Sequence, residues 1–79
     1  MDRGLKAFLA VAQEGSITAA ASKINLTQSS VTKRIATLES EIGVSLFYRD
    51  RRGMSLTEAG QLFLLRAERI EQEYQHGME

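Results

Sequence analysis

Apolar residues recur at helical spacing in three stretches of this 79-residue chain. In residues 3–14 they occupy positions i, i+3, i+4 and i+7, which is the pattern of one buried helix face. From residue 28 to about residue 43 the spacings are four, three and four, and another apolar stripe runs through residues 58–75. The pattern predicts three helices of unequal length.

A shorter helix is predicted between the first two by its alanines and its N-cap. Ser16 can accept hydrogen bonds from the free amides of an opening turn, and the alanines at 19–21 favour a helix and allow close packing. Thr27 is placed to cap the next helix. Gly15 and Gly43 are placed to end the first and third helices in the left-handed conformation.

The segment after the helix at residues 28–43 is predicted to form a β-hairpin. Residues 44–48 are rich in β-branched and aromatic residues, as strands are. Residues 49–53 (RDRRG) form a polar turn, and residues 54–56 can return as a second strand. The fold class is therefore mainly α, a winged helix-turn-helix with a three-helix core and a two-stranded wing over residues 44–56.

The last helix has more apolar surface than a small winged domain needs for its own core. We expect residues 1–57 to form the winged domain and residues 58–79 a linker or dimerisation helix, capped by Thr57. An exposed apolar helix face usually has a partner, which here favours a homodimer. The candidate dimerisation residues are Leu62, Phe63, Arg66, Ala67, Ile70 and Tyr74.

The composition narrows the class of function. The chain has no cysteine, and His76 has no second histidine nearby, so we expect neither a metal site nor a cofactor. Glu39 and Glu41 would point about 160° apart on a helix, so they cannot share a catalytic site, and we expect no enzyme. Without a membrane span or a signal peptide, we expect a cytoplasmic protein.

Charge is unevenly distributed along the chain, although the net charge is zero. Residues 23–52 contain six basic and three acidic side chains, whereas residues 53–79 contain two basic and five acidic ones. Because salt limits electrostatic reach to about 10 Å, affinity for phosphates depends on this local charge. A basic middle segment is compatible with DNA as a partner.

The outward face of the third helix points to DNA more directly. With Val31 taken as zero, Ser29 lies at about 160° and Lys33 at about 200°. This face is short, polar and rich in donors near its N-terminal end, whereas a solvated helix more often carries Glu–Lys pairs. Together with the preceding short helix, it has the pattern of a helix-turn-helix with a recognition helix.

These residues closely resemble the N-terminal winged helix-turn-helix domain of LysR-type transcriptional regulators. The matching motifs are FLAVAQEGSITAAA at 8–21, TQ…V.K.I..LE.EIGV.LF.R at 27–49 and LTEAG at 56–60. The resemblance implies a bacterial regulator that binds double-stranded DNA as a dimer at an interrupted inverted repeat. Its recognition helix would enter the major groove, its wing would contact the flanking minor groove, and its last helices would pair antiparallel.

The resemblance places the helix-turn-helix at residues 17–36. Glutamine can bond adenine bidentately, and arginines at a hairpin tip suit phosphates or a narrow minor groove. The candidate DNA-binding residues are Ser16, Thr18, Gln28, Ser29, Thr32, Lys33, Arg34, Arg49, Arg51 and Arg52.

Three of these positions depart from the family's pattern. Ser29 stands where proline is common, Thr32 where serine is usual, and Lys33 where arginine is usual. Lysine is a point-charge donor, so the bidentate fork of arginine is missing there.

Simpler interpretations stay open for several of these residues. Gln28 could face water, Ser29 and Thr32 could serve only as local caps, and an acid in the wing turn could neutralise one arginine. Arg34 could pair with Glu41. For the whole chain, the alternative is a helical protein-interaction module that does not bind DNA.

Family members carry a second, ligand-binding domain that is larger than this chain. We expect an excised DNA-binding domain rather than a naturally short regulator. A small-molecule inducer is expected only if such an effector domain exists.

Overall fold

The computed structural model describes residues 2–78. Its elements are α1 (Arg3–Glu14), α2 (Ile17–Lys23), α3 (Gln28–Ile42), β1 (Phe47–Asp50), β2 (Gly53–Leu56) and α4 (Glu58–Met78). The predicted mainly α class is confirmed, with three packed helices, a two-stranded wing and a C-terminal helix. Within the described part of the chain, no helix combines the length and apolar character that crossing a membrane requires.

Local hydrogen bonds fix where the first three helices begin and end. In each case a side-chain oxygen of the preceding residue accepts from a backbone amide three residues further on: Asp2 before α1, Ser16 before α2 and Thr27 before α3. Gly15 and Gly43 follow α1 and α3 with φ of 73° and 75°. The predicted caps are confirmed, and Asp2 is one that the sequence analysis missed.

The wing begins later than predicted. The expected first strand over residues 44–48 was wrong at both ends, because β1 covers Phe47–Asp50. Residues 45 and 46 bond outside the sheet: Thr57 Oγ1 donates to the Ser45 carbonyl at 2.7 Å, and Thr57 N donates to the Leu46 carbonyl at 3.0 Å. These bonds hold the connection against the start of α4, so it cannot extend the ladder.

The wing is consequently a tight hairpin. Antiparallel pairing runs from Phe47–Leu56 to Asp50–Gly53, which leaves only Arg51 and Arg52 in the turn. Arg49, predicted in the turn, lies in β1 opposite Met54. The wing tip therefore carries two arginines rather than three.

Three aromatic rings join α1, the wing and α4. Phe8 on α1 has no exposed surface, and its ring centroid lies 5.3 Å from that of Phe47 and 4.9 Å from that of Phe63. The contact with Phe63 is edge-to-face, a favoured geometry for aromatic pairs. Val31 and Ile35 of α3 are also fully buried in this core.

The apolar stripe predicted on α4 is divided between two roles. Phe63 packs on the core and Ala67 is fully buried within the chain. Leu62, Ile70 and Tyr74 are about half exposed or more. The first half of α4 is therefore part of the folded core, and its exposed apolar residues lie on another face.

Replacing Phe8 with leucine tests the aromatic cluster. The variant keeps most of the apolar volume but loses two ring contacts, each worth about 0.5–1.5 kcal/mol beyond burial, so we expect a loss of about 1–3 kcal/mol in urea unfolding. Tyr48→Leu is the matched control, because Tyr48 is 62% exposed on the wing, and it should change stability by less than about 0.5 kcal/mol. Equal losses in both variants would contradict the assignment.

Candidate nucleic-acid interface

The two sides of α3 differ sharply in exposure. Val31 and Ile35 have no exposed surface, whereas Gln28, Ser29 and Lys33 are exposed. For Ser29 and Lys33 this follows from the helical period, because each lies two residues from Val31 and so about 160° from it. Gln28 lies only about 60° from Val31, and it is exposed as the first residue of α3. The N-terminal half of α3 thus presents a continuous polar surface to solvent.

The remaining two candidates on α3 lie at the border of that surface. Thr32 and Arg34 are half-buried, on opposite flanks of the helix. The alternative pairing of Arg34 with Glu41 is not formed, because the ion pairs found within residues 2–78 are Lys23–Glu14 and Arg69–Glu73. Arg34 therefore keeps its charge available at the edge of the polar surface.

A small hydroxyl cluster organises the start of α3. Thr27 Oγ1 accepts from Ser30 N at 3.1 Å and donates to Ser30 Oγ at 2.9 Å. Ser29 Oγ lies 3.3 Å from Thr27 Oγ1, so part of the local-cap interpretation holds for Ser29, although its side chain is exposed. The cluster stabilises the turn that carries Gln28.

The turn between α2 and α3 depends on a left-handed residue. Asn25 has φ of 56°, a region that asparagine tolerates better than most side chains. Leu26 N then donates to the Ala21 carbonyl at 2.9 Å, which closes the end of α2. This turn sets the angle at which α3 leaves α2.

The start of α2 carries the two candidates that lie outside α3 and the wing. Ser16 is half-buried, and its hydroxyl accepts from Ala19 N at 3.0 Å as the helix cap. Thr18 is exposed. The structure therefore gives Ser16 a structural role as a cap and leaves Thr18 open to solvent.

The wing exposes its three arginines. Asp50 Oδ1 accepts from Arg52 N at 2.8 Å, which closes the hairpin turn through the backbone. Among the described side chains of the wing, no arginine lies within ion-pair distance of Asp50. The simpler interpretation, in which this acid neutralises an arginine, is therefore not what the geometry shows.

A close backbone contact fixes the second strand of the wing to the turn after α1. Met54 N donates to the Gly15 carbonyl at 3.0 Å. Gly53 has φ of 129°, and a Cβ there would lie 2.5 Å from the same carbonyl oxygen, so only glycine fits. The start of β2, next to the hairpin turn, therefore touches Gly15, the residue that immediately precedes Ser16.

Glu39 connects α3 to the wing, a role that the sequence analysis missed. Its Oε2 accepts from Leu46 N at 2.6 Å and from Phe47 N at 3.4 Å. Glu39 lies about 80° from Val31 on the helix, closer to the buried stripe than to the outward face. That angle is the feature of the sequence that could have indicated this inward role. The carboxylate positions the first strand of the wing relative to α3.

Among the side chains that the structure describes, those of residues 2–75, no three acidic groups cluster closely enough to hold a metal ion.

Three packed helices, an α3 with one free polar face and an attached hairpin define a winged helix-turn-helix domain. Residues 3–61 match the family model described as "Bacterial regulatory helix-turn-helix protein, lysR family". The chain belongs to this family, and the resemblance noted in the sequence is confirmed.

Curated relatives agree with this assignment. The HTH-type transcriptional regulator YofA of Bacillus subtilis is 50% identical over 66 residues, which are 84% of this chain and 23% of that protein. ClcR of Pseudomonas putida, also an HTH-type transcriptional regulator, is 47% identical over 68 residues, 86% of this chain and 23% of its own length. The chain spans about a quarter of the length of these relatives.

Solved structures share the fold over almost the whole chain. The CbnR_DBD–DNA complex gives a TM-score of 0.91 at 40% identity, covering 98% of this chain and 90% of that one. The complex of BenM_DBD with catB site 1 DNA gives a TM-score of 0.93 at 32% identity, covering 99% of this chain and 89% of that one. Both of those proteins are bound to DNA in the structures compared.

Removing the Glu39 carboxylate tests its link to the wing. Glu39→Ala leaves two partly buried amides without their acceptor, which should cost about 1–3 kcal/mol and speed hydrogen exchange at Leu46 N. Glu41→Ala removes the same charge from an exposed position on the same helix and should cost less than about 0.5 kcal/mol. Unchanged exchange at Leu46 in Glu39→Ala would refute the link.

Proposed function

We propose that this chain is the DNA-binding domain of a LysR-type transcriptional regulator. The single observation that carries the proposal is the division of α3, whose buried side is Val31 and Ile35 and whose free side presents Gln28, Ser29 and Lys33. A helix with one free polar side can enter the major groove of DNA, where amide and ammonium donors meet base edges. Gln28 is the proposed base contact, and Lys33 contacts a phosphate or a guanine.

The wing supports the same proposal. Arg49, Arg51 and Arg52 are exposed, and the hairpin is tied to the core by the Met54–Gly15 hydrogen bond and by Glu39. Guanidinium groups held in this way suit the negative potential of a narrow minor groove. In the proposed complex, the wing lies on the minor groove that flanks the site of α3.

The DNA complexes of CbnR_DBD and BenM_DBD give this proposal a precedent in the same fold. The departures at Ser29, Thr32 and Lys33 bear on base preference rather than on docking, because all three side chains present here are polar. The proposed target is an interrupted inverted repeat bound by two copies of the chain.

Dimerisation through α4 is the second part of the proposal. Leu62, Ile70 and Tyr74 are exposed apolar residues, and Arg66 is exposed between them at four-residue spacing. Phe63 and Ala67, two further candidates, pack within their own chain and contribute less to the contact. The proposed interface is therefore the exposed Leu62–Arg66–Ile70–Tyr74 row, paired antiparallel with its copy.

A protein-interaction module without DNA binding is the competing function. The exposed apolar residues of α4 are the observation in its favour. This function requires that affinity for the partner be independent of salt concentration and that substitutions on α3 leave that affinity unchanged. Binding to DNA requires a steep dependence on salt, because cations are released from the phosphates.

Two variants of α3 test the groove-reading assignment. Lys33→Ala should weaken binding to all duplexes, and Gln28→Ala should relax preference at one base pair, each costing on the order of 1–3 kcal/mol. Fluorescence anisotropy with a randomised duplex pool at two salt concentrations measures both effects. Gln61→Ala is the control, because it removes an exposed amide side chain from α4 rather than from α3. Affinity that is independent of salt and of all three changes would favour the protein-interaction module.

A charge on the exposed row of α4 tests the dimer. Leu62→Glu should shift the chain from dimer to monomer in sedimentation equilibrium, because antiparallel pairing of the row would place this carboxylate against the apolar ring of Tyr74 in the copy. Gln72→Glu adds the same charge at an exposed position off the row and should leave the dimer intact. If both variants sediment like the unmodified chain, α4 does not pair through this row.

A further inference from the structure

A cleft of about 290 Å³ lies between the start of α1 and one flank of α3. Arg3 lines it from α1, and Lys33 and Arg34 line it from α3. The two helices approach closely at Gly4, where an added Cβ would lie 3.4 Å from Leu38 Cβ. Residues thirty positions apart in the sequence thus place three cations around one cleft.

The charges of this cleft are not balanced internally. Asp2 and Glu41 also line it, so three cations face two carboxylates. Asp2 Oδ1 is already engaged, because it accepts from Leu5 N at 3.0 Å as the cap of α1. Within residues 2–78, none of the three cations lies within ion-pair distance of either acid. An anion bound among the cations would relieve their mutual repulsion.

The position of the cleft identifies the anion. Lys33 lies at about 200° on α3, where the groove-facing surface ends and the cleft begins. A duplex seated on Gln28 and Ser29 would bring its backbone to that border, since phosphates line both edges of the major groove. A DNA phosphate is therefore the anion that both surfaces can share.

We propose that Arg3 is a further DNA-binding residue, which contacts a backbone phosphate at this cleft together with Lys33 and Arg34. The inference rests on the proposed function and deepens it by assigning part of α1 to the interface. Glu41, at the other end of the lining on α3, limits the strength of the contact because its carboxylate repels the phosphate.

The test measures the salt dependence of DNA binding for Arg3→Gln and for a matched control, Lys6→Gln. Both variants remove one positive charge from an exposed position on α1. Lys6 lines a different groove, shared with Gln13 and Lys23. Anisotropy titrations at four salt concentrations give the slope of log affinity against log salt for each variant on the same duplex.

Loss of one phosphate contact should reduce the magnitude of that slope by about one for Arg3→Gln, with severalfold weaker binding at low salt and unchanged base preference. Lys6→Gln should keep the slope of the unmodified chain. Arg3→Lys should restore the slope, because the charge remains at the cleft. Glu41→Gln should tighten binding, since it removes a repelling carboxylate.

Other outcomes overturn the inference in distinguishable ways. If Arg3→Gln and Lys6→Gln have the same slope as the unmodified chain, Arg3 does not contact a phosphate, while the function proposed for α3 stands. If Lys33→Ala alone changes the slope, the phosphate contact belongs to α3 only. If the unmodified chain does not bind any duplex at low salt, the proposed function and this inference fail together.

Discussion

The packing of Phe8 against Phe47 and Phe63 is the contact on which the rest of the structure depends. Phe8 belongs to α1, Phe47 opens the wing and Phe63 lies in α4, so the buried ring of Phe8 joins its own helix to two further elements. A domain of this size has little core to share among its parts. Using the same ring for all three means that the wing and α4 are held by the core that supports α3.

Helix ends and buried helix faces were predictable from the sequence because they depend on neighbours within a few positions. Ser16 and Thr27 accept from amides three residues away. Gly15 adopts a φ of 73°, which a residue without a Cβ reaches without strain. The buried face of α3 follows from a period of 3.6 residues. These features account for most of the fold and for the exposure of the predicted groove-facing residues.

The start of the wing and the roles of α4 were not predictable in the same way. Residues 44–48 have strand-like composition, but bonds from Glu39 and Thr57 decide which of them join the sheet. Phe63 belongs to the apolar stripe of α4, but it packs inside the chain against Phe8 and is not part of the exposed face. Arg3 meets Lys33 and Arg34 only through the crossing of α1 and α3. Each of these contacts joins residues that are distant in the chain.

The bond between Met54 N and the Gly15 carbonyl bears on how such a domain tolerates different operators. It fixes the hairpin at the residue next to the cap of α2, so the separation between α3 and the wing cannot adjust freely. In the proposed complex, any mismatch between that separation and the spacing of the grooves would be borne by the duplex, which would have to bend or narrow to fit. Operators would be ranked partly by the flexibility of base steps that no side chain touches.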